Sequence, residues 1–475
     1  MRFIKSSEKN KKSKYAVLTQ NMALFALCSF GSKLILFLMV PLYTYVLNTE
    51  EYGTVDLLTA TVSLLIPVLT VNVQDAVLRF TLDREHRAEN VISIGIRVNA
   101  VGALILLGAL LLLCGTGILR MDASLVVFLF FGYVLGGLNN CFTLYLKGRD
   151  RVPVLVVSGL LNTLLLCVLN ILFLVILKLG IRGYLIANIS GMAAAVVCEF
   201  FAGKIYREIK FRRDRELTRA MLSYSRPLVA NSLAWWINNA SDRYILTYIS
   251  GAAANGIYSV AYKIPTILSS VQEVFYNAWS ISAITEYDEE DRDGFVGNMY
   301  TMYSVASIIV CSLILLANIP LARILYSKDF FAAWKYVPFL LVGTMFNGLA
   351  LCMGCIFSAA KKTGAVSRTT MAGAAVNTVC NFFFIYWIGA MGAALATLLG
   401  YLVTWGMRLF LSKRIIRMKV EWKRHFFSCF LLIVQAALAI NEKTWYAQGI
   451  IVVLIFVVQR RALLDFMRKL LRHDM

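Results

Sequence analysis

Long apolar stretches alternate with short polar connections along almost the whole chain. A helical stretch of about 20 apolar residues spans a bilayer. Such stretches predict fourteen membrane spans, at residues 16–47, 53–80, 91–119, 123–146, 153–177, 183–203, 222–249, 256–281, 295–317, 334–358, 364–387, 390–411, 425–440 and 445–459. The longest outer connection, residues 318–333, leaves no room for a catalytic domain. The pattern predicts an all-α polytopic membrane protein and argues against an enzyme.

Composition supports this prediction. Hydrophobic residues make up 59% of the chain and charged residues 16%, whereas a soluble domain is about 45–50% apolar and about 25% charged. The cysteines lie in apolar segments and the three histidines are scattered beside basic loops. We therefore expect neither a disulfide scaffold nor a metal site.

The net charge of +20 is explained by the orientation of the chain. Cytoplasmic connections of membrane proteins are enriched in Lys and Arg. With the N-terminus inside, 34 of the 47 Lys and Arg residues fall in cytoplasmic segments and seven fall outside. We therefore expect both termini to be cytoplasmic, and the charge does not indicate a nucleic-acid partner.

Two small-residue patterns indicate an internal repeat, as in many transporters. Gly180, Gly183, Ala187 and Gly191 have the same spacing as Gly389, Gly392, Ala396 and Gly400. This repeat predicts two six-helix halves in parallel order around a central cavity, at residues 16–206 and 221–413. Residues 1–15 form a basic tail, residues 207–220 a cytoplasmic linker, and residues 414–475 an additional helix pair with a basic tail.

Several charged side chains fall inside predicted spans, where a charge costs at least about 2.5–3.5 kcal/mol. Arg97, Arg226, Glu199 and Asp56 lie near span ends, where a long side chain can reach the interface. The deeper cations predict a cationic cavity that binds substrate; they are Lys33, Arg79, Arg243 and Lys263. Two pairs, Asp75 with Arg79 and Asp242 with Lys263, have the spacing to neutralise each other.

Prolines mark the same four spans, the first, second, seventh and eighth. Pro41, Pro67, Pro227 and Pro265 predict kinks, because proline removes a helical hydrogen bond. Bent helices at membrane depth line cavities. The predicted polar and aromatic lining is Asn231, Trp235, Asn238, Asn239 and Gln272. Asp75, Asp242 and Glu273 are candidates for H⁺ or Na⁺ coupling; no other cofactor is expected.

A cationic cavity inside the membrane favours an anionic solute, and Arg and Lys are common phosphate ligands. A lipid-linked sugar phosphate fits this chemistry, because its polar head can cross in the cavity while its apolar tail stays in lipid.

Motifs in both halves resemble the oligosaccharide (polysaccharide biosynthesis) flippases of the multidrug/oligosaccharidyl-lipid/polysaccharide exporter superfamily. They are Pro41 through Gly53, Arg79-Phe80, Asp242-Arg243, Gly256 through Lys263, and Asn377 through Ala396. The resemblance implies alternating-access flipping of undecaprenyl-pyrophosphate-linked glycans from the cytoplasmic to the outer leaflet of a bacterial plasma membrane. Polysaccharide polymerase machinery is an expected partner.

Two other functions remain open within this superfamily. One is a flippase for lipid II, the peptidoglycan precursor, which shares the plan of fourteen spans. The other is a cation-coupled multidrug exporter, although Lys33 argues against it.

Overall fold

A computed structural model describes residues 31–83, 87–118, 121–210, 214–285, 288, 290–292, 294–360 and 362–473. These ranges are largely helical and contain no strand. The helices are α1 Val40–Val46, α2 Thr49–Leu69, α3 Val73–Leu82, α4 Ala88–Gly115, α5 Ala123–Gly148, α6 Val152–Asn170, α7 Gly180–Ala202, α8 Arg215–Ser250, α9 Ala252–Ala261, α10 Pro265–Thr285, α11 Phe295–Leu316, α12 Asn318–Leu325, α13 Val337–Ala359, α14 Thr363–Ile388, α15 Ala390–Ser412, α16 Trp422–Leu438 and α17 Trp445–His473.

Ten helical segments in the described ranges are long and apolar enough to cross a membrane. They correspond to all predicted spans except the first, seventh, eighth and thirteenth. The described part of the first is the shorter apolar helix Gly31–Val46, and the thirteenth, α16, has 17 residues. The seventh, α8, is 36 residues long, but its charged and amide side chains lower its hydropathy. The fold is that of a multi-pass membrane protein.

The second and eighth predicted spans are broken rather than bent. Between α2 and α3 the chain turns through Val71 and Asn72, which have φ of 51° and 53°. The break follows Pro67, and the Asn72 amide donates to the Pro67 carbonyl at 3.0 Å. Between α9 and α10 it lies just before Pro265, the first residue of α10.

The other two prolines also differ in their effect. Pro41 is the second residue of α1 and follows a turn at Met39, a position where no helical hydrogen bond is lost. Pro227 lies inside the continuous helix α8. Proline therefore marks helix starts at two of the four predicted positions, and only Pro67 and Pro227 lie within a helix.

The chain divides into two compact units. Unit 1 contains the described residues through Met39 together with Val55–Trp236. Unit 2 contains Val40–Thr54 together with the described residues from Ile237 onward.

Each unit contains a group of three packed helices in which small residues bring backbones together. In unit 1, α7 packs on α5 and α6; in unit 2, α15 packs on α13 and α14. A Cβ atom added to Gly191 would lie 2.7 Å from the Asn162 side-chain oxygen, and one added to Gly400 would lie 2.8 Å from the Asn377 Cβ. The glycines of the repeat therefore act in helix packing.

A second close approach lies within unit 2, where α2 begins beside α9. A Cβ atom on Gly53 would lie 1.9 Å from the Ala252 carbonyl oxygen, and one on Gly256 would lie 1.9 Å from the Thr49 carbonyl oxygen. The Asn255 side-chain amide donates to the Gly53 carbonyl at 3.1 Å. This reciprocal contact, here called the glycine crossing, fixes the start of α2 to unit 2.

Candidate functional site

A polar network surrounds the break between α2 and α3 in unit 1. The side-chain amide of Asn72 donates to Asp75 Oδ2 at 2.5 Å, and the side-chain amide of Gln74 donates to Asn72 Oδ1 at 2.7 Å. The Thr70 hydroxyl donates to Gln74 Oε1 at 3.1 Å. The Ser232 hydroxyl of α8 reaches Asn72 Oδ1 at 3.5 Å. These bonds satisfy polar groups where the helical ladder is interrupted.

A second polar cluster lies in unit 2, where α9 ends. Asp242 of α8 is buried, and its Oδ2 accepts from the Tyr258 hydroxyl at 2.7 Å and the Tyr262 hydroxyl at 3.2 Å. Its Oδ1 accepts from the Arg243 amide at 2.9 Å. Three donors thus converge on one buried carboxyl group.

The Asp242 cluster continues into α14 and α15. The Tyr258 and Thr397 hydroxyls are 3.4 Å apart, and the Asn377 amide donates to Thr397 Oγ1 at 3.4 Å. The Asn381 amide donates to Asn377 Oδ1 at 2.8 Å. A chain of neutral hydrogen-bonding groups therefore connects Asp242 to the interior of the α13–α15 group.

The four predicted substrate-binding cations lie in different settings. Lys33 and Arg79 are exposed, whereas Arg243 and Lys263 are half-buried. The Arg243 guanidinium carbon lies 5.8 Å from the Tyr262 ring centroid, within the range of a cation–π interaction. In unit 2, the structure thus brings Arg243 beside the Asp242 cluster.

The two predicted charge pairs have other partners in the structure. Asp75 accepts from Asn72, and Arg79, four residues along α3, is exposed and makes no ion pair with it. Asp242 accepts from two tyrosine hydroxyls instead of pairing with Lys263. Lys263 lies in the turn after α9, so its direction is not set by helical spacing.

The predicted polar lining is also divided. Asn231, Trp235 and Asn239 are exposed and Asn238 is half-buried along α8. Gln272 is buried in unit 2, where its amide donates to Ser307 Oγ at 3.4 Å. A Cβ atom on Gly348 would lie 2.2 Å from the Gln272 amide nitrogen. Gln272 therefore packs between helices, whereas the predicted coupling residue Glu273 is exposed.

Two charged residues, Glu199 and Arg408, are buried in the structure although the sequence predicted accessible positions for them. Glu199, expected to reach the interface, is 2% exposed. Arg408, one of the 34 Lys and Arg residues assigned to cytoplasmic segments, is 3% exposed and donates to the Ala350 carbonyl and the Thr369 and Thr370 hydroxyls at 2.5, 3.1 and 2.9 Å. The aligned repeat contains a signal for both, because each lies 19 residues after the first glycine of its pattern, Gly180 or Gly389.

Tyr258, Tyr262 and Thr397 are functional candidates that charge and depth alone do not reveal. Among the described residues, no group of three or more His, Cys, Asp or Glu side chains is arranged to hold a metal ion.

Solved structures with a similar fold are membrane transporters. A lipid II flippase MurJ in an inward closed conformation is 14% identical, with a TM-score of 0.70 over 94% of this chain and 100% of that chain. An inward-facing multidrug resistance MATE family transporter of the MOP superfamily is 14% identical, with a TM-score of 0.62 over 80% of this chain and 94% of that one. A point mutant of the Vibrio cholerae MATE transporter VcmN is 13% identical, with a TM-score of 0.54 over 85% and 98% of the respective chains. The protein thus has the MurJ/MATE-like transporter fold.

The sequence identifies the family within this class. The family described as "Polysaccharide biosynthesis protein" matches residues 18–279. The chain belongs to this family, and its resemblance to the superfamily is confirmed. No curated protein sequence matches the chain significantly.

Proposed function

We propose that the protein is a flippase that moves an undecaprenyl-pyrophosphate-linked oligosaccharide from the cytoplasmic to the outer leaflet for polysaccharide export. The observation that carries this proposal is the family match, which spans more than half of the chain. The transporter fold supports a carrier that works by alternating access.

The chemistry of the membrane-embedded cations supports an anionic substrate. Arg243 lies beside the Tyr262 ring in unit 2, and Lys33 lies in the first helical segment of the described chain. A pyrophosphate offers several acceptor oxygens to such groups, and an arginine can bind two at once. An aromatic ring beside the cation suits the face of a sugar.

Replacing Lys33 or Arg243 by alanine tests this assignment. We expect each change to reduce the glycan delivered to the outer face at least tenfold at equal protein level, because a charge-assisted contact to phosphate contributes about 1.5–3 kcal/mol. The measurement is surface glycan in cells whose only copy of the protein is the variant.

A matched control is Arg182→Ala. Arg182 pairs with Asp122 at 2.9 Å, and the two side chains are 65% and 48% exposed, so its loss removes a cation without touching the candidate site. Arg182→Ala should deliver glycan normally. Normal delivery by both Lys33→Ala and Arg243→Ala would remove these two residues from the proposed substrate site.

The lipid II flippase is a second candidate function, favoured by the fold match that covers the whole MurJ chain. Depletion separates the two: loss of cell-wall growth favours lipid II, whereas loss of a dispensable glycan favours the first proposal. A multidrug exporter is a third candidate, suggested by the MATE structures; drug resistance on overexpression would support it.

Three further parts of the proposal concern the setting of transport. The protein would reside in the bacterial inner membrane with both termini cytoplasmic. It would supply the flipped glycan to polysaccharide polymerase machinery. Transport would be coupled to H⁺ or Na⁺, with Asp75, Asp242 and Glu273 as the carboxylates named from the sequence.

A further inference from the structure

Glu199 is a buried carboxyl group in unit 1 with an incomplete set of partners. It lies on α7 and is 2% exposed. Its Oε1 accepts from the Thr143 hydroxyl of α5 at 3.1 Å and the Ser158 hydroxyl of α6 at 3.1 Å. Its Oε2 is enclosed and has no hydrogen-bond partner in the described part of the chain. One carboxyl group therefore joins all three helices of the α5–α7 group through a single oxygen.

The charged and titratable groups around Glu199 leave its carboxyl group without an ion pair. On α5, Cys141 is a buried free thiol, and the Tyr145 hydroxyl donates to Glu208. On α6, Arg151 donates through Nη2 to Glu208 Oε1 at 2.7 Å and through Nη1 to the Gly203 carbonyl. Cys198, the neighbour on α7, is also a free thiol. In the described part of unit 1, no Lys or Arg forms an ion pair with Glu199.

An ionised carboxylate in this position would be a buried charge without a counter-ion, which is strongly unfavourable. Oε2 is enclosed by the protein. A proton neutralises the group without displacing a helix.

We propose that Glu199 is a proton-binding site of unit 1, protonated when α5, α6 and α7 pack as they do here, and that it carries a coupling proton of transport. Release of the proton requires the three helices to separate enough to hydrate the carboxylate. The coupling role of Glu199 rests on the proposed function, whereas its protonation does not.

The repeat places a contrasting group at the same position of unit 2. Arg408 follows Gly389 by the same 19 residues that separate Glu199 from Gly180. Its guanidinium is bonded to three oxygens of α13 and α14, and arginine keeps its charge in proteins. One half of the molecule thus has a titratable buried group where the other has a permanent cation.

Infrared difference spectroscopy of the purified protein across a pH titration tests protonation directly. We expect the C=O stretch of a carboxylic acid at neutral pH, its loss at alkaline pH, and its absence in Glu199→Gln. Glu216→Gln, the same change at an exposed carboxylate at the start of α8, is the matched control and should retain the band. Absence of the band from the wild type at neutral pH, or its persistence in Glu199→Gln, would overturn the proposal. Absence of the band from the wild type overturns the proposal even if the variant does not fold.

Stability provides a second measurement. A carboxylic acid held protonated in the folded state stabilises the fold at low pH, and this contribution is lost as pH rises. The melting temperature of the wild type should therefore fall as pH rises from mildly acidic values, until the folded state also loses the proton, while that of Glu199→Gln should fall less. Equal slopes for the two proteins would count against the site.

Proteoliposomes separate coupling from transport. A pH gradient should accelerate translocation of a short-chain polyprenyl-pyrophosphate sugar by the wild type, and Glu199→Gln should lose this acceleration. An unchanged acceleration would refute coupling at Glu199. If the wild type moves no such lipid at all, the proposed function fails while the infrared result still stands.

Discussion

Replacing Gly256 by leucine is expected to abolish delivery of glycan to the outer face and to lower the yield of folded protein. Any side chain at this position must displace the Thr49 carbonyl, because even a Cβ atom would lie 1.9 Å from its oxygen. A Cβ atom on Gly53 would likewise lie 1.9 Å from the Ala252 carbonyl oxygen. The backbones of α2 and α9 are therefore in contact at two positions, and a local shift at Gly256 would disturb both. Overpacking costs about 1–3 kcal/mol, and more where backbone must move.

The measurements are the melting temperature of the purified protein and surface glycan at matched expression. Gly256→Ala should show the same loss in weaker form. Gly406→Ala is the control, because no heavy atom lies within 4 Å of a Cβ built at that helical glycine; alanine there should stabilise α15 by about 0.5–1 kcal/mol. Wild-type melting and delivery by Gly256→Leu would show that the glycine crossing is not required.

We expect the second large effect, a loss of both stability and transport, when Asp242 is replaced by leucine. Leucine leaves the hydroxyls of Tyr258 and Tyr262 without their carboxylate acceptor, and each buried polar group so deprived costs about 1–3 kcal/mol. Asp242→Asn keeps an acceptor oxygen but no charge. We expect the asparagine variant to fold and to transport poorly, because an amide beside Arg243 can neither ionise nor exchange a proton.

The measurements are the melting temperature and glycan delivery for both variants, together with their response to H⁺ and Na⁺ gradients. Asp122→Asn, at a half-exposed carboxylate, is the control and should change none of them. If Asp242→Leu melts with the wild type, the tyrosine bonds do not stabilise unit 2. A wild-type gradient response in Asp242→Asn would exclude Asp242 as the coupling carboxylate.

Hydropathy and the repeat were sufficient to predict the helical class, because both depend on residue spacing along one helix. Helix breaks were harder to place. Pro67 predicts a bend where it stands, yet the chain breaks at Thr70–Asn72, because the helix continues for about one turn before left-handed residues end it.

Side-chain partners could not be predicted from depth alone. Asp242 and Lys263 lie at similar predicted depth, but helix rotation points Asp242 to the tyrosines of α9 and of the turn that follows it. Glu199 lies near a span end, and the sequence does not show that α5 and α6 cover it there. Contacts of this kind depend on packing between helices distant in sequence.

The oxygens that surround Arg408 have a consequence for biogenesis. Ala350, Thr369 and Thr370 all precede Arg408 in the chain, and Thr143 and Ser158 likewise precede Glu199. If the chain is inserted from its N-terminus, the helices that provide hydrogen bonds to Arg408 and Glu199 are therefore made before these two charged residues enter the membrane. Reordering these helices by circular permutation would expose Arg408 to lipid before its partners exist.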